Sequence, residues 1–390
     1  MSIQSLTMNA RLAASSLAIL IVACAAVQMP RAQSTAPPAA PPKKNPLLKL
    51  AEPWPDADAL TARRAEAEAR PLFQSADPLE FTLTANFNAL NKDRKTESAT
   101  RYPGVITVTG KDGAPRNISV KLSARGHFRR MARNCSVVPL RVEFPKNGTA
   151  GTAFDGQTTL KLGTGCEDSK EYEQITLREY LTYPIFNMVT PLSFRARLAR
   201  ATYTDEKSKK KSSARYALFI ENENDVARRN EGRVVELSRV VFTDLVNEAL
   251  TRMMLFEFMI GNTDASIWAL HNVRLLQKPD RTLIAVPYDF DLSGFVHAPY
   301  AIPDRNLGLR SVVDRMYRGP CRTTEEFDAA AAPFRAKRTD ILELVASLRD
   351  LDSSARSEMK DYLEGFFRTI DKPASIKKQF VDGCKPKSTM

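Results

Sequence analysis

The sequence predicts an α+β protein of two lobes, a strand-rich N-terminal lobe at 71–235 and a mainly helical C-terminal lobe at 236–390. Short runs alternating apolar and polar residues, the period of strands, dominate the first half. After residue 235 the pattern changes to long apolar runs at helical spacing. That order of elements places a cleft between the lobes as the natural ligand site.

The chain opens with a predicted signal peptide at 1–32: MSIQSLTMNAR is polar with one cation, and the uncharged apolar run LAASSLAILIVACAAV follows. Ile21-Val22-Ala23-Cys24 fits a bacterial lipobox, in which Cys24 becomes the lipidated first residue; cleavage near Ala26 or after Ala32 would instead discard it. No other stretch approaches the roughly 20 apolar residues a spanning helix needs. The expected mature protein therefore has no transmembrane helix, and a lipidated Cys24 would be its membrane tether. The expected address is outside the cytoplasm of a bacterium: periplasm, outer membrane by a lipid anchor, or cell surface. Residues 33–70, rich in Ala and Pro (STAPPAAPPKKNP), read as a linker.

Strands are predicted at 79–87, 104–110, 116–125, 137–144 and 159–164, separated by Gly and Asn/Asp turns. A helix follows at 171–189, with Ile175, Leu177, Leu181, Ile185 and Val189 at helical spacing and a kink expected at Pro184. Two more strands, 195–205 and 213–222, flank a lysine-rich tip (KSKKK). The run VELSRVVFTDLVNEALTRMMLFEFMI predicts one long helix ending at Gly261. Short strands at 270–277 and 282–289 bracket a turn, and 306–380 is predicted mostly helical.

Four cysteines follow the signal: Cys135, Cys166, Cys321 and Cys384. An even count in an exported chain points to disulfides. Of the possible pairings, sequence proximity favours Cys135–Cys166 and Cys321–Cys384. The Cys spacing and three histidines do not suit zinc, and His127, His271 and His297 read as structural or surface residues. The net charge of +12 favours anionic partners such as phosphates, acidic polymers or lipid headgroups. Nucleic acid is not expected, because no recognition motif or aromatic-basic interleaving is present.

The chemistry-bearing stretch is GNTDASIWALHN at 261–272, followed by YDFDLSG at 288–294. Any one of these Asp and Asn residues could simply cap a turn. The ordered set of helix, Asp264, Asn272, strand, strand, Asp289 and Asp291 fits phosphoryl transfer instead. That reaction needs a carboxylate to orient the attacking hydroxyl and oxygen ligands for Mg²⁺.

On Asn262-Thr263-Asp264, Asn272 and Tyr288-Asp289-Phe290-Asp291, the chain resembles the protein-kinase-like superfamily, and most closely the spore coat protein H (CotH) kinase family. The likeness covers about residues 79–300 and implies a two-lobed protein-kinase-like fold using ATP and Mg²⁺. It implies that Asp264 is the catalytic carboxylate and that Asn272, Asp289 and Asp291 are metal ligands. The arginine-rich loop after strand 116–125 carries Arg125, Arg129, Arg130 and Arg133, any of which could hold phosphate oxygens by charge, Arg125 and Arg130 foremost. Lys161 on strand 159–164, paired with Glu179 on the following helix, would position the nucleotide. The chain departs from the family pattern in three places: Tyr288 replaces a Trp, Arg125-Gly126-His127-Phe128 replaces R-G-N-S/T, and Val137-Val138-Pro139 replaces a lysine-bearing stretch.

The expected function is thus an exported kinase transferring phosphate from a nucleotide to a hydroxyl acceptor, a cell-envelope protein or a small molecule. A catalytically silent structural or binding module of the envelope is the alternative, and a hydrolase using the same carboxylates is a third reading.

Overall fold

In the computed structural model, which describes residues 48–208 and 214–384, the alternation in LEFTLTA becomes a strand with Phe81, Leu83 and Ala85 facing inward. Seven strands close into a mixed barrel: β1 (Leu79–Ala85), β2 (Tyr102–Thr109), β3 (Pro115–Ala124), β4 (Leu140–Glu143), β5 (Thr159–Gly163), β6 (Ala196–Asp205) and β7 (Arg215–Ile220). Their order around the barrel is β1-β2-β3-β4-β5-β7-β6. Each predicted strand of this half is present, shifted by a few residues at its ends. Inside the barrel, the small Ala199, Ala201 and Ala217 leave room for Phe81, Phe154 and Phe219. The Phe219 ring lies 5.2 Å, centroid to centroid, from both Phe81 and Phe154.

Closure is where the expected fold fails. The two-lobed protein-kinase-like fold is replaced by a closed barrel with a small separate sheet and helices packed on it. The cause is the second edge of β1, which pairs parallel with β6 from Leu79 opposite Ala199 to Ala85 opposite Asp205. Because β1 and β6 are the two ends of the strand order, their pairing leaves the sheet no open edge. No periodicity within β1 could announce this partner more than 110 residues away in the sequence.

Helices form the rest: α1 (Leu48–Ala51), α2 (Ala57–Glu68), α3 (Phe87–Lys92), α4 (Lys170–Val189), α5 (Glu223–Arg229), α6 (Asn247–Ile260), α7 (Thr324–Ala336), α8 (Arg338–Ser347), α9 (Ser353–Ile370) and α10 (Pro373–Ile376). Helix α4 continues past Pro184. It packs on the outer face of β6 and β7, so Leu198, Tyr216, Leu218 and Ile220 join a second core shared with α6, α7 and α9. This explains why β7, RYALFI, reads as an almost unbroken apolar run. A small sheet of β8 (Arg233–Val235), β9 (Val273–Gln277) and β10 (Leu283–Pro287), in the order β10-β9-β8, lies in that second core.

Two further expectations change. The single long helix before Gly261 is instead strand β8, an irregular stretch and α6, which starts only at Asn247. The β-branched Val240-Val241 pair disfavours helix, and the Asp244 carboxylate accepts the Val241 N–H at 2.8 Å in a local turn. Within the predicted linker, α2 is capped by Asp56, which accepts the Ala59 N–H at 2.7 Å, and the buried Arg70 pairs with Asp225 of α5. The linker composition thus extends over an ordered helix. The predicted signal peptide, Cys24, residues 33–47 and most of the lysine-rich tip lie outside the described residues. No helix among the described residues is long and apolar enough to cross a membrane.

The disulfides are Cys135–Cys166 and Cys321–Cys384, the pairing that proximity favours. The second bridges a sequence separation of 63 and ties the segment before α7 to the end of the described chain. Replacing both Cys321 and Cys384 by Ser is expected to remove about 4 kcal/mol of stability on the chain-entropy account. Urea unfolding of the double variant and the oxidised wild type, followed by circular dichroism, checks this; coincident midpoints would contradict it.

Candidate functional site

Helix α6 ends at Gly261 in the left-handed region, φ 64°, where a Cβ would collide with the Tyr362 hydroxyl. The chain turns back at once. Asn262 N–H donates to the Glu257 carbonyl at 2.8 Å, and Asp264 N–H donates to Asn262 Oδ1 at 3.0 Å. Ser266 and His271 then exchange backbone hydrogen bonds of 3.1 and 3.0 Å, closing a small hairpin. Arg318 braces it by donating to the carbonyls of Thr263 and Ala265. The result brings Asn272 against Asp264, with Nδ2 donating to Oδ2 at 2.7 Å. His271 Nε2 lies 3.4 Å from the same oxygen, and this hydrogen bond raises the imidazole pKa against partial burial. The Asp264 side chain remains about one-third exposed.

The β9–β10 hairpin joins this unit to the second carboxylate pair. Tyr288 N–H donates to the Asn272 carbonyl at 3.0 Å, so Asn272 and Asp289 leave the sheet at the same end. Both have left-handed backbones, φ 54° and 68°, which Asn and Asp tolerate better than most residues. Asp289 N–H donates to the Tyr183 hydroxyl of α4 at 3.2 Å, which anchors the turn. Asp291 is buried and accepts from the Tyr300 hydroxyl at 3.1 Å.

Facing them is the arginine-rich loop after β3. Arg125 Nη1 lies 3.8 Å from Asp289 and Arg129 Nη1 lies 4.0 Å from Asp291. Arg129 also donates to the Thr164 carbonyl. The Cys135–Cys166 bridge holds the loop beside β5, helped by Ser136 and Val137 N–H groups that both donate to the Cys166 carbonyl. Arg130 points elsewhere: it is buried against Asp93 at 3.2 Å and caps the carbonyls of Asp93 and Thr96. Its expected role on phosphate is therefore corrected to a structural one, and of the four arginines it is Arg125 and Arg129 that face the acids. Arg133 is exposed.

Lys161 and Glu179 both belong to the cluster, but not as the expected pair. Lys161 Nζ lies 3.7 Å from Glu223 of α5 and 4.0 Å from the centre of the Tyr288 ring. Arg274 shares the same carboxylate at 2.8 Å. Burial pulls the Lys161 pKa down to about 7; Glu223 and Asp289 oppose that shift, while Arg125 and Arg274 reinforce it. Glu179, buried on α4, has its pKa raised by burial and by Asp291 and Asp289, with Arg129 and Arg125 opposing. Asp291 is raised by burial and by Asp289, against Arg129. Like charges this close, out of water, favour keeping a proton among the carboxylates.

The structure thus gathers Asp264, Asn272, Asp289, Asp291, Arg125, Lys161 and Glu179, and excludes Arg130. Sequence reasoning missed Glu223, Arg274, Tyr183 and Tyr300, and read His271 as a bystander. Only the adjacency of His271 to Asn272 hinted at its position. Among the described residues no group of three or more His, Cys, Asp or Glu side chains is arranged to hold a metal ion. A cavity of about 490 Å³ opens at the end of the barrel, lined by residues including Phe87, Leu140, Tyr203 and Tyr216. None of the predicted site residues lines it. No known protein family matches the chain by sequence, and no curated protein matches it.

Carbon NMR of the lysine side chains is expected to show one residue, lost in Lys161→Met, titrating near pH 7. Because Glu223 favours the charged form, Glu223→Gln should lower that pKa further. Over the interval from about 7 to 10.5, the unfolded chain holds the Lys161 proton more than the folded one, so this group's contribution to stability grows with pH. A Lys161 resonance titrating with the exposed lysines would contradict the assignment.

Proposed function

We propose that the chain is an exported phosphotransferase, moving a phosphoryl group from a Mg²⁺-bound nucleoside triphosphate, ATP in the first instance, to a hydroxyl of a cell-envelope protein or small molecule. The observation that carries this reading is the Asp264–Asn272 bond of 2.7 Å, on a hairpin whose far strand leads to Asp289 and Asp291. Opposite these oxygens stand Arg125, Arg129 and Lys161, cations suited to phosphate. The resemblance of these segments to the CotH family adds to it.

In the reaction, Asp264 accepts or orients the proton of the attacking hydroxyl, whose oxygen forms the new bond to phosphorus. The bond from phosphorus to the leaving diphosphate oxygen breaks, and the diphosphate departs with that electron pair. Asn272 and His271 hold Asp264 in place through the contacts already described. Lys161 and Arg125 would trade their carboxylate neighbours Glu223 and Asp289 for phosphate oxygens.

In this reading Asn272, Asp289 and Asp291 would hold magnesium. Asn272 directs its amide nitrogen to Asp264 and keeps Oδ1 for a cation, and Asp289 and Asp291 supply carboxylate oxygens. Hard oxygen donors, few in number, suit Mg²⁺ arriving with phosphate and water. Bound there, it would neutralise charge on the transferring phosphates.

A signal peptide at 1–32, with lipidation of Cys24 as the tether, completes the reading; the disulfides are compatible with an oxidising compartment. One observation favours the silent-module alternative: Asp289 and Asp291 already face the chain's own Arg125 and Arg129.

Calorimetry on the disulfide-intact protein tests both readings. ATP binding is expected to require Mg²⁺ and to weaken at least about tenfold in Asp289→Ala. Asp264→Ala should keep binding within a few-fold yet lose about a hundredfold or more in phosphate transfer to added hydroxyl acceptors. Absence of Mg²⁺-dependent binding in the wild type rejects the phosphotransferase and leaves the silent module.

A further inference from the structure

Glu257 lies in the last turn of α6, only 2 % exposed, and both its carboxyl oxygens lack a hydrogen-bond partner among the described residues. The Asn262 side-chain nitrogen is likewise buried and unpartnered. The groups that face Glu257 are Asn262, Asp264 and Arg318. The Asn262 amide is near enough to favour the carboxylate, but no hydrogen bond of ordinary geometry joins the two. Burial dominates and pushes the Glu257 pKa up to about 8, with Asn262 and Arg318 opposing.

The other end of Asn262 is committed. Its Oδ1 accepts the Asp264 N–H at 3.0 Å, and its backbone N–H donates to the Glu257 carbonyl at 2.8 Å. The Asn262 amide plane therefore has one correct orientation, oxygen toward Asp264 and nitrogen toward the Glu257 carboxyl. A flipped amide would present NH₂ to the Asp264 N–H and lose that bond. An apolar residue at 257 would leave the nitrogen with no acceptor.

We propose that Glu257 is a positioning residue for Asp264: its buried carboxyl and the buried Asn262 side-chain nitrogen, neither with another partner, pair with each other and so fix the amide whose oxygen holds the Asp264 backbone. A helix-buried acid thereby sets the aim of the carboxylate at the surface without touching substrate. The kinetic consequence rests on the phosphotransferase reading; the placement of Asp264 does not.

The experiment measures hydrogen exchange at the Asp264 amide by ¹⁵N NMR in the nucleotide-free full chain, for the wild type, Glu257→Gln, Glu257→Met and Asn262→Ala. Gln keeps an acceptor oxygen, whereas Met keeps the volume alone. Exchange is expected to speed up about tenfold or more in Glu257→Met and Asn262→Ala, and to stay within about twofold in Glu257→Gln. With Asn262→Ala already present, the Gln and Met variants should behave alike. Phosphate transfer from Mg²⁺-ATP should fall about ten- to a hundredfold in Glu257→Met, recover in Glu257→Gln, and leave the ATP dissociation constant unchanged.

Wild-type Asp264 exchange in Glu257→Met overturns the proposal, as does Glu257→Gln behaving like Glu257→Met. If Glu257→Met does not fold, unchanged exchange in Asn262→Ala, or fast exchange in Glu257→Gln, overturns it equally. Altered exchange with no transfer in any variant, the wild type included, upholds the positioning role and rejects the phosphotransferase.

Discussion

The parallel pairing of β1 with β6 is the constraint on which the remaining architecture depends. It closes the barrel and fixes β6 and β7 with one face inside and the other outward. The outer face is apolar, so it must be covered, and α4 covers it. Helix α4 in turn presents Glu179 to the site and Tyr183 to the Asp289 turn. A change in how β1 closes the barrel would therefore be felt at carboxylates that β1 never touches.

The site itself is held in electrostatic tension. Lys161 is drawn toward neutrality, whereas Glu179, Asp291 and Glu257 are drawn toward their acid forms, in each case chiefly by burial. Arg125, Arg129 and Arg274 compensate by facing carboxylates. Buried charges that are matched but imperfectly satisfied cost stability, and such arrangements concentrate where an incoming ligand completes them. The Cys135–Cys166 bridge holds the cationic loop beside β5.

Much of this was legible in the chain, for identifiable reasons. The strand positions followed from period-two alternation, since a barrel wall has one buried face along most of its length. The segments around Asp264, Asn272, Asp289 and Asp291 were legible because each lies just beyond a helix or strand, where Asn and Asp pair with turn backbone. The role of Arg130 was misread because four arginines within nine residues look equivalent in sequence. Burial against Asp93 separates Arg130 from Arg129, which faces Asp291. The expected Lys161–Glu179 pair gave way to Lys161–Glu223, because α5 begins directly beyond β7, the neighbour of β5 in the barrel.

By itself the sequence determined the strands of the first half and the favoured cysteine pairing, because each is written in spacing or residue type. Tertiary structure alone decided that the strands close into a barrel rather than form an open lobe. It also decided which arginine faces the acids and which carboxylate meets Lys161, and that Glu257 stands behind Asp264. These depend on contacts between residues far apart in the chain, whose energies arise only once water has been excluded between them.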